Sequence, residues 1–110
     1  MAKLGADQVI RSSGNVFADL GLPDAAELQT KARLCAALNR IVEHQRLTQA
    51  QVAAALGINQ PKVSALLNYK LEGFSVERLM HFLVALDHDV EILVKAKPSS
   101  RSARIAVKAA

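Results

Sequence analysis

Cysteine is almost missing from this 110-residue chain, with Cys35 its single representative. One thiol builds neither a disulfide framework nor a zinc finger, and its place in an apolar helical run predicts a buried, inert side chain rather than a nucleophile. Long apolar runs are missing too. None approaches the roughly 20 residues of a membrane span, and Met1-Ala2-Lys3 is not followed by the continuous apolar core of a signal peptide. The expectation is therefore a cytoplasmic chain with no membrane partner. No glycine-rich phosphate loop occurs, and Ser64 in Val63-Ser64-Ala65 lacks the glycine elbow of a hydrolase serine. His44, His81 and His88 are separated by 37 and 7 residues, so no two of them form the i, i+4 pair of a helical metal site. With no nucleophile, base and orienting group assembled, the sequence predicts a non-enzyme with no catalytic residues, no metal site and no cofactor.

Acidic residues are missing from one long interval. Between Glu43 and Glu72 there is no carboxylate, while Arg46, Lys62 and Lys70 give that stretch a charge of +3. Residues 1–30 sum to −2, 31–43 to +2 and 72–110 to +1, within a total of +4. A segment free of carboxylates does not repel phosphates wherever it meets them, which points to a polyanionic partner. Length and a 51% hydrophobic composition suffice for one compact core and not for two ordinary domains.

What is present is a series of helix signals. Residues 1–22 mix Gly5, Ser12, Ser13, Gly14, Asn15 and Gly21 with the small apolar cluster Val16, Phe17, Leu20 and Leu22, and read as a flexible or docked N-terminal segment. Pro23-Asp24, with Glu27 three residues on, forms a capping pattern that predicts a helix from about Ala25 to Gln45. Leu34, Cys35, Leu38, Ile41 and Val42 give it a broad apolar stripe. Thr48 with Gln51 predicts the start of a short second helix and Gly57 its end. Asn59 or Gln60 caps a third, with Pro61 in its first turn, running to about Leu67. Ser75 caps a fourth, where Val76, Leu79, Met80, Leu83 and Val84 share a face. Past Asp87 the period changes to 2. Val90, Ile92 and Val94 alternate with polar neighbours, and after Pro98-Ser99-Ser100 the run Ala103–Val107 alternates again, predicting a β-hairpin. The division expected is 1–22, a domain at 23–87, and a dimerising β segment and tail at 88–110.

Gln49 to Leu66 meets the demands of a helix-turn-helix. Ala53 is small enough for the helix crossing and Gly57 makes the turn, while Val52, Leu56, Ile58, Val63 and Leu66 supply the shared core. In such a unit the second helix enters the major groove by its N-terminus, which presents Gln60, Lys62, Ser64 and Asn68 to base edges, with Pro61 and Ala65 available to thymine methyls. Gln49, Asn59, Arg46, Tyr69 and Lys70 flank this turn, and helix N-termini attract phosphates through their amides. The DNA-binding set expected is Arg46, Gln49, Asn59, Gln60, Pro61, Lys62, Ser64, Asn68 and Lys70. A pure protein-interaction module would need a poorly basic recognition face, against which the carboxylate-free run argues.

The pattern Gln49-x3-Ala53-x3-Gly57-x5-Val63-Ser64 resembles the lambda-repressor-like, or Xre-type, helix-turn-helix family. That resemblance implies a mainly α bundle of four to five helices with a short C-terminal β-hairpin or strand. Asn15–Leu22, Leu47-Thr48-Gln49, Leu56–Ser64, Phe74–Leu79 and Asp89–Ile92 further resemble a subgroup of HigA-type antitoxins, over about residues 12–95. The likeness implies a homodimeric autorepressor on a palindromic operator, encoded beside a RelE/HigB-like ribonuclease toxin that Val16, Phe17, Leu20 and Leu22 contact. Glu72, Glu77, Asp87 and Glu91 form an acidic flank that also suits a basic toxin. The other reading is a stand-alone Xre-type regulator with no toxin. One departure stands out: arginine is common near the end of this family's recognition helix, where this chain has Ala65 and Leu67.

Overall fold

Four helices follow one another in the computed structural model, which describes residues 25–109: α1 (Ala25–His44), α2 (Gln49–Leu56), α3 (Gln60–Leu67) and α4 (Val76–Ala85). The Pro23-Asp24 cap and the cluster Val16, Phe17, Leu20 and Leu22 lie outside the described residues. Local chemistry sets the remaining starts. The Thr48 hydroxyl accepts from the Gln51 amide at 3.1 Å while the Gln51 side chain accepts from the Thr48 amide at 2.8 Å, a reciprocal box at the head of α2. Asn59 caps α3 by accepting from the Lys62 amide at 2.9 Å, with Pro61 in the first turn, and Ser75 caps α4 through the Arg78 amide at 3.0 Å.

All four helices stop in the same way. A residue with positive φ follows each one: Arg46 (54°), Gly57 (71°), Tyr69 (63°) and Asp87 (65°). The next amide in the chain then bonds back five residues: Leu47 to Val42, Ile58 to Ala53, Lys70 to Ala65 and His88 to Leu83, at 3.0, 3.2, 2.9 and 3.0 Å. These left-handed caps satisfy carbonyls that the helix itself leaves open. Glycine takes this conformation freely; arginine, tyrosine and aspartate do so at a cost of order 1 kcal/mol each.

The core is built across α1 and α4, with α3 beneath. Leu34, Cys35 and Leu38 of α1, Leu66 of α3, Leu71 and Phe74 of the α3–α4 connection, and Leu79, Phe82, Leu83 and Leu86 form one buried cluster. Each large aliphatic side chain buried there contributes about 1.5–3 kcal/mol. Phe74 meets Phe82 edge to face, with ring centroids 5.9 Å apart, and the Arg78 guanidinium lies over both rings at 5.5 and 5.4 Å. α2 packs mainly on α3, and Val52 and Val63 are fully buried on that pair. Lys31 is buried on α1 with its ammonium 3.5 Å from Glu27, one turn back.

The expected β-hairpin is not formed. Residues 88–109 contain no strand, and no backbone hydrogen bond joins Val90–Val94 to Ala103–Val107. Alternation alone is insufficient. Only Val90 and Val107 pack against the core, whereas Ile92, Leu93 and Val94 are 76%, 79% and 60% exposed, so no buried face fixes a register. A lone two-stranded ribbon is marginal in water. The chain instead runs out from His88, turns at Ser99-Ser100 and returns, leaving an irregular arm beside the α1–α4 face. The fold of the described residues is mainly α. No helix among them is long and apolar enough to cross a membrane.

Candidate nucleic-acid interface

The turn between α2 and α3 spans only Gly57, Ile58 and Asn59, and it sorts the side chains of α3 into two sets. Val63 and Leu66 point into the core with no measurable exposure, while Gln60, Pro61 and Lys62 are all exposed on the first turn. Ser64 and Ala65 are half-buried on the next turn. Thus the anchoring residues and the presented residues alternate within one eight-residue helix. Short helices cannot hold themselves in water, so the presentation of Gln60 and Lys62 depends on the burial of Val63 and Leu66.

Other predicted residues occupy the margins. Gln49 opens α2 and is exposed; Arg46 and Lys70 are exposed in the connections before α2 and after α3. Two asparagines have structural duties. Asn59 uses its carbonyl oxygen to cap α3, which leaves its amide group as the free donor. Asn68 ends α3, and its side-chain amide donates to the Ser64 carbonyl at 2.8 Å, which reduces its freedom to reach outward. Tyr69, 49% exposed, projects beside it. Neither α2 nor α3 has an acidic residue in its first turn, so the partial positive charge at both N-termini is not offset from within.

The back of α3 is held by α1 through polar bonds that the helix pattern does not reveal. The Cys35 thiol donates to the Leu66 carbonyl at 3.0 Å, and the Asn39 side-chain amide donates to the Leu67 carbonyl at 3.2 Å. Both acceptors are last-turn carbonyls that α3 cannot satisfy internally. Burial pushes the Cys35 thiol above its usual range, with hydrogen bonds from Asn39 and the Tyr69 backbone opposing the shift. It is a structural donor, not a reactive group. The one signal for Asn39 in the sequence is a polar residue one turn after Cys35, beside the apolar stripe.

His44, His81 and His88 are exposed, and among the described residues no group of three or more His, Cys, Asp or Glu is arranged to hold a metal ion. His81 lies 3.8 Å from Glu77 on the surface of α4.

Comparison with known proteins agrees with this geometry. A family model described as a helix-turn-helix domain matches residues 16–95. A solved chain named for the XRE family of transcriptional regulators is 67% identical, with a TM-score of 0.76, over 80% of this chain and 100% of that one. The chain belongs to the XRE-type helix-turn-helix family. A search of curated proteins finds no match. The family match takes in α1 to α4 and the first limb of the arm, and it ends at Lys95.

Proposed function

We propose that this XRE-family chain binds double-stranded DNA in a sequence-specific way and represses its own promoter in the cytoplasm, as a homodimer on a palindromic operator. The observation that carries the reading is the exposed run Gln60-Pro61-Lys62 on a helix anchored by Val63 and Leu66, within an interval free of carboxylates. Gln pairs bidentately with adenine and Lys donates to guanine, with Ser64 and Asn68 also presented to base edges, while Arg46, Gln49, Tyr69 and Lys70 lie near the backbone phosphates and Asn59 flanks the same turn. A single module offers few contacts, so two act together on half-sites about 34–36 Å apart. The exposed apolar residues Ile92, Leu93, Val94 and Ile105 suit pairing between copies of the arm.

In the same reading the chain also neutralises a RelE/HigB-like ribonuclease toxin through Val16, Phe17, Leu20 and Leu22. Support comes from the likeness of residues 15–22 and 89–92 to HigA-type antitoxins. The second reading, a stand-alone regulator, is favoured by the extent of the family match, which begins at residue 16 and so includes that cluster in the domain unit.

A gel-shift titration with the chain's own promoter fragment tests the DNA-binding reading. Gln60→Ala and Lys62→Ala each weaken specific binding by roughly 1–3 kcal/mol without unfolding the domain. Wild-type affinity in both variants would place base recognition on another face.

A further inference from the structure

The chain's net positive charge depends on its last nineteen residues. All ten carboxylates lie at or before Glu91, where nine Lys and Arg residues leave residues 1–91 with a net charge of −1. The last nineteen residues carry Lys95, Lys97, Arg101, Arg104 and Lys108 and no acid, so they account for the whole excess of the +4 total. Summed from residue 72, this asymmetry disappears, because Glu72, Glu77, Asp87, Asp89 and Glu91 cancel the five cations of the arm and leave only Arg78.

We infer that the arm from Lys95 to Lys108 is a second DNA contact, a sequence-independent clamp on backbone phosphates separate from the base-reading turn. The inference rests on the DNA-binding reading above and adds a separate surface to it. Three observations carry it. First, the cations are available. Lys95, Lys97, Arg104 and Lys108 are exposed and Arg101 half-buried, and among the described residues none of the five forms an ion pair. The side-chain hydrogen bonds of Lys97 and Arg101 go only to adjacent carbonyls, those of Pro98 and Ser102.

Second, the helix-turn-helix has few cations to neutralise phosphates. Within the carboxylate-free interval it has Arg46, Lys62 and Lys70 alone, of which Lys62 is placed for base edges. Each phosphate neutralised releases condensed counterions, so five further cations are a large addition to the electrostatic part of binding. Third, most of the arm's cations lie outside the family's shared unit. The family match stops at residue 95, with Lys97, Arg101, Arg104 and Lys108 beyond it.

Placement and reach are compatible with this role. Both limbs flank the α1–α4 side, and no residue of α3 lines the groove between limbs and helices, so the arm leaves the base-reading turn unobstructed. The twelve residues from His88 to Ser99 are joined by eleven Cα–Cα steps and span at most about 36–40 Å when extended, and the described residues, arm included, measure 45 × 28 × 20 Å. Extended, an arm of that length is long enough to meet phosphates outside the half-site itself.

The test is the salt dependence of binding to a random-sequence 30-base-pair duplex, measured by fluorescence anisotropy on the full chain. The fivefold variant K95Q/K97Q/R101Q/R104Q/K108Q is compared with wild type and with K95R/K97R/K108R, and circular dichroism checks that each is folded. The expected result is a log–log slope shallower by about 4 in the Gln variant, affinity lower by on the order of a hundredfold near 0.1 M salt, and wild-type behaviour in the Arg variant. The preference for promoter over random duplex stays unchanged. An unaltered slope and affinity in the Gln variant would overturn the clamp and leave the cations merely solvated. Loss of binding to anionic phospholipid vesicles, with duplex affinity intact, would overturn it in favour of a membrane surface. The base-reading proposal fails separately, through wild-type promoter preference in Gln60→Ala and Lys62→Ala.

Discussion

The side-chain amide of Asn39, in the C-terminal half of α1, donates to the carbonyl oxygen of Leu67 in the last turn of α3, 3.2 Å away. The same nitrogen lies 3.2 Å from the Cys35 carbonyl and 3.5 Å from the Cys35 sulfur, whose thiol in turn holds Leu66. One asparagine thus ties the end of α3 to the longest of the described helices. Asn39→Leu removes the donor and leaves the Leu67 carbonyl short of a partner, at a cost of about 1–3 kcal/mol in urea unfolding. Operator affinity measured well below the melting temperature falls further than the unfolded fraction accounts for, because α3 loses its fixed end. Equal losses in both measurements would reduce Asn39 to a stability residue.

The left-handed caps make opposite predictions at glycine and at tyrosine. Tyr69→Gly relieves a positive φ and raises stability by about 1 kcal/mol, provided the ring packs little, as its exposure indicates. Gly57→Val lowers it by about 1–3 kcal/mol. The Gly57 penalty is conformational, since a Cβ there meets nothing within 4 Å. Thermal melts of the two variants against wild type check both signs.

Assembly is tested by light scattering with and without operator DNA. The expected particle is a dimer at micromolar concentration, and Ile92→Lys with Val94→Lys shifts it towards monomer, because an unpaired charge is costly to bury in an apolar contact between arms. A wild-type chain that stays monomeric on the operator would refute the two-fold arrangement.

The N-terminal cluster is tested by deletion to residue 22. Under the antitoxin reading the shortened chain still folds and binds DNA but no longer captures the product of the adjacent gene. Unfolding on deletion would instead make Val16, Phe17, Leu20 and Leu22 part of the core and favour the stand-alone regulator.

The helices were readable because their ends are written in residues that act locally. Thr48, Gln51, Gly57, Asn59 and Ser75 form the caps seen in the structure, and α1 ends one residue short of the expected Gln45. The arm was misjudged because strand formation is decided by a partner and a buried face, neither of which alternation at Val90–Val94 provides. Asn39 escaped notice since its acceptor is 28 positions away in sequence and only packing brings them together. The exposure of Gln60, Pro61 and Lys62 on the first turn of α3 was legible from the apolar spacing of Val63 and Leu66 behind it. The cations of the arm were visible in the sequence but concealed by counting them with the acids of α4 and its flanks.

The burial of Cys35 also supplies the molecule with an internal clock. Its side chain has no exposure in the folded state, and the chain has no other thiol to compete. An alkylating reagent can therefore reach it only when α1 and α3 separate, so the rate of modification reports how often the domain opens. At low reagent, where reclosing outruns reaction, that rate measures an equilibrium; at high reagent it measures the opening step itself. Operator DNA that binds only the closed form should slow labelling in proportion to its occupancy, which turns one unreactive sulfur into a readout of DNA binding without any attached dye.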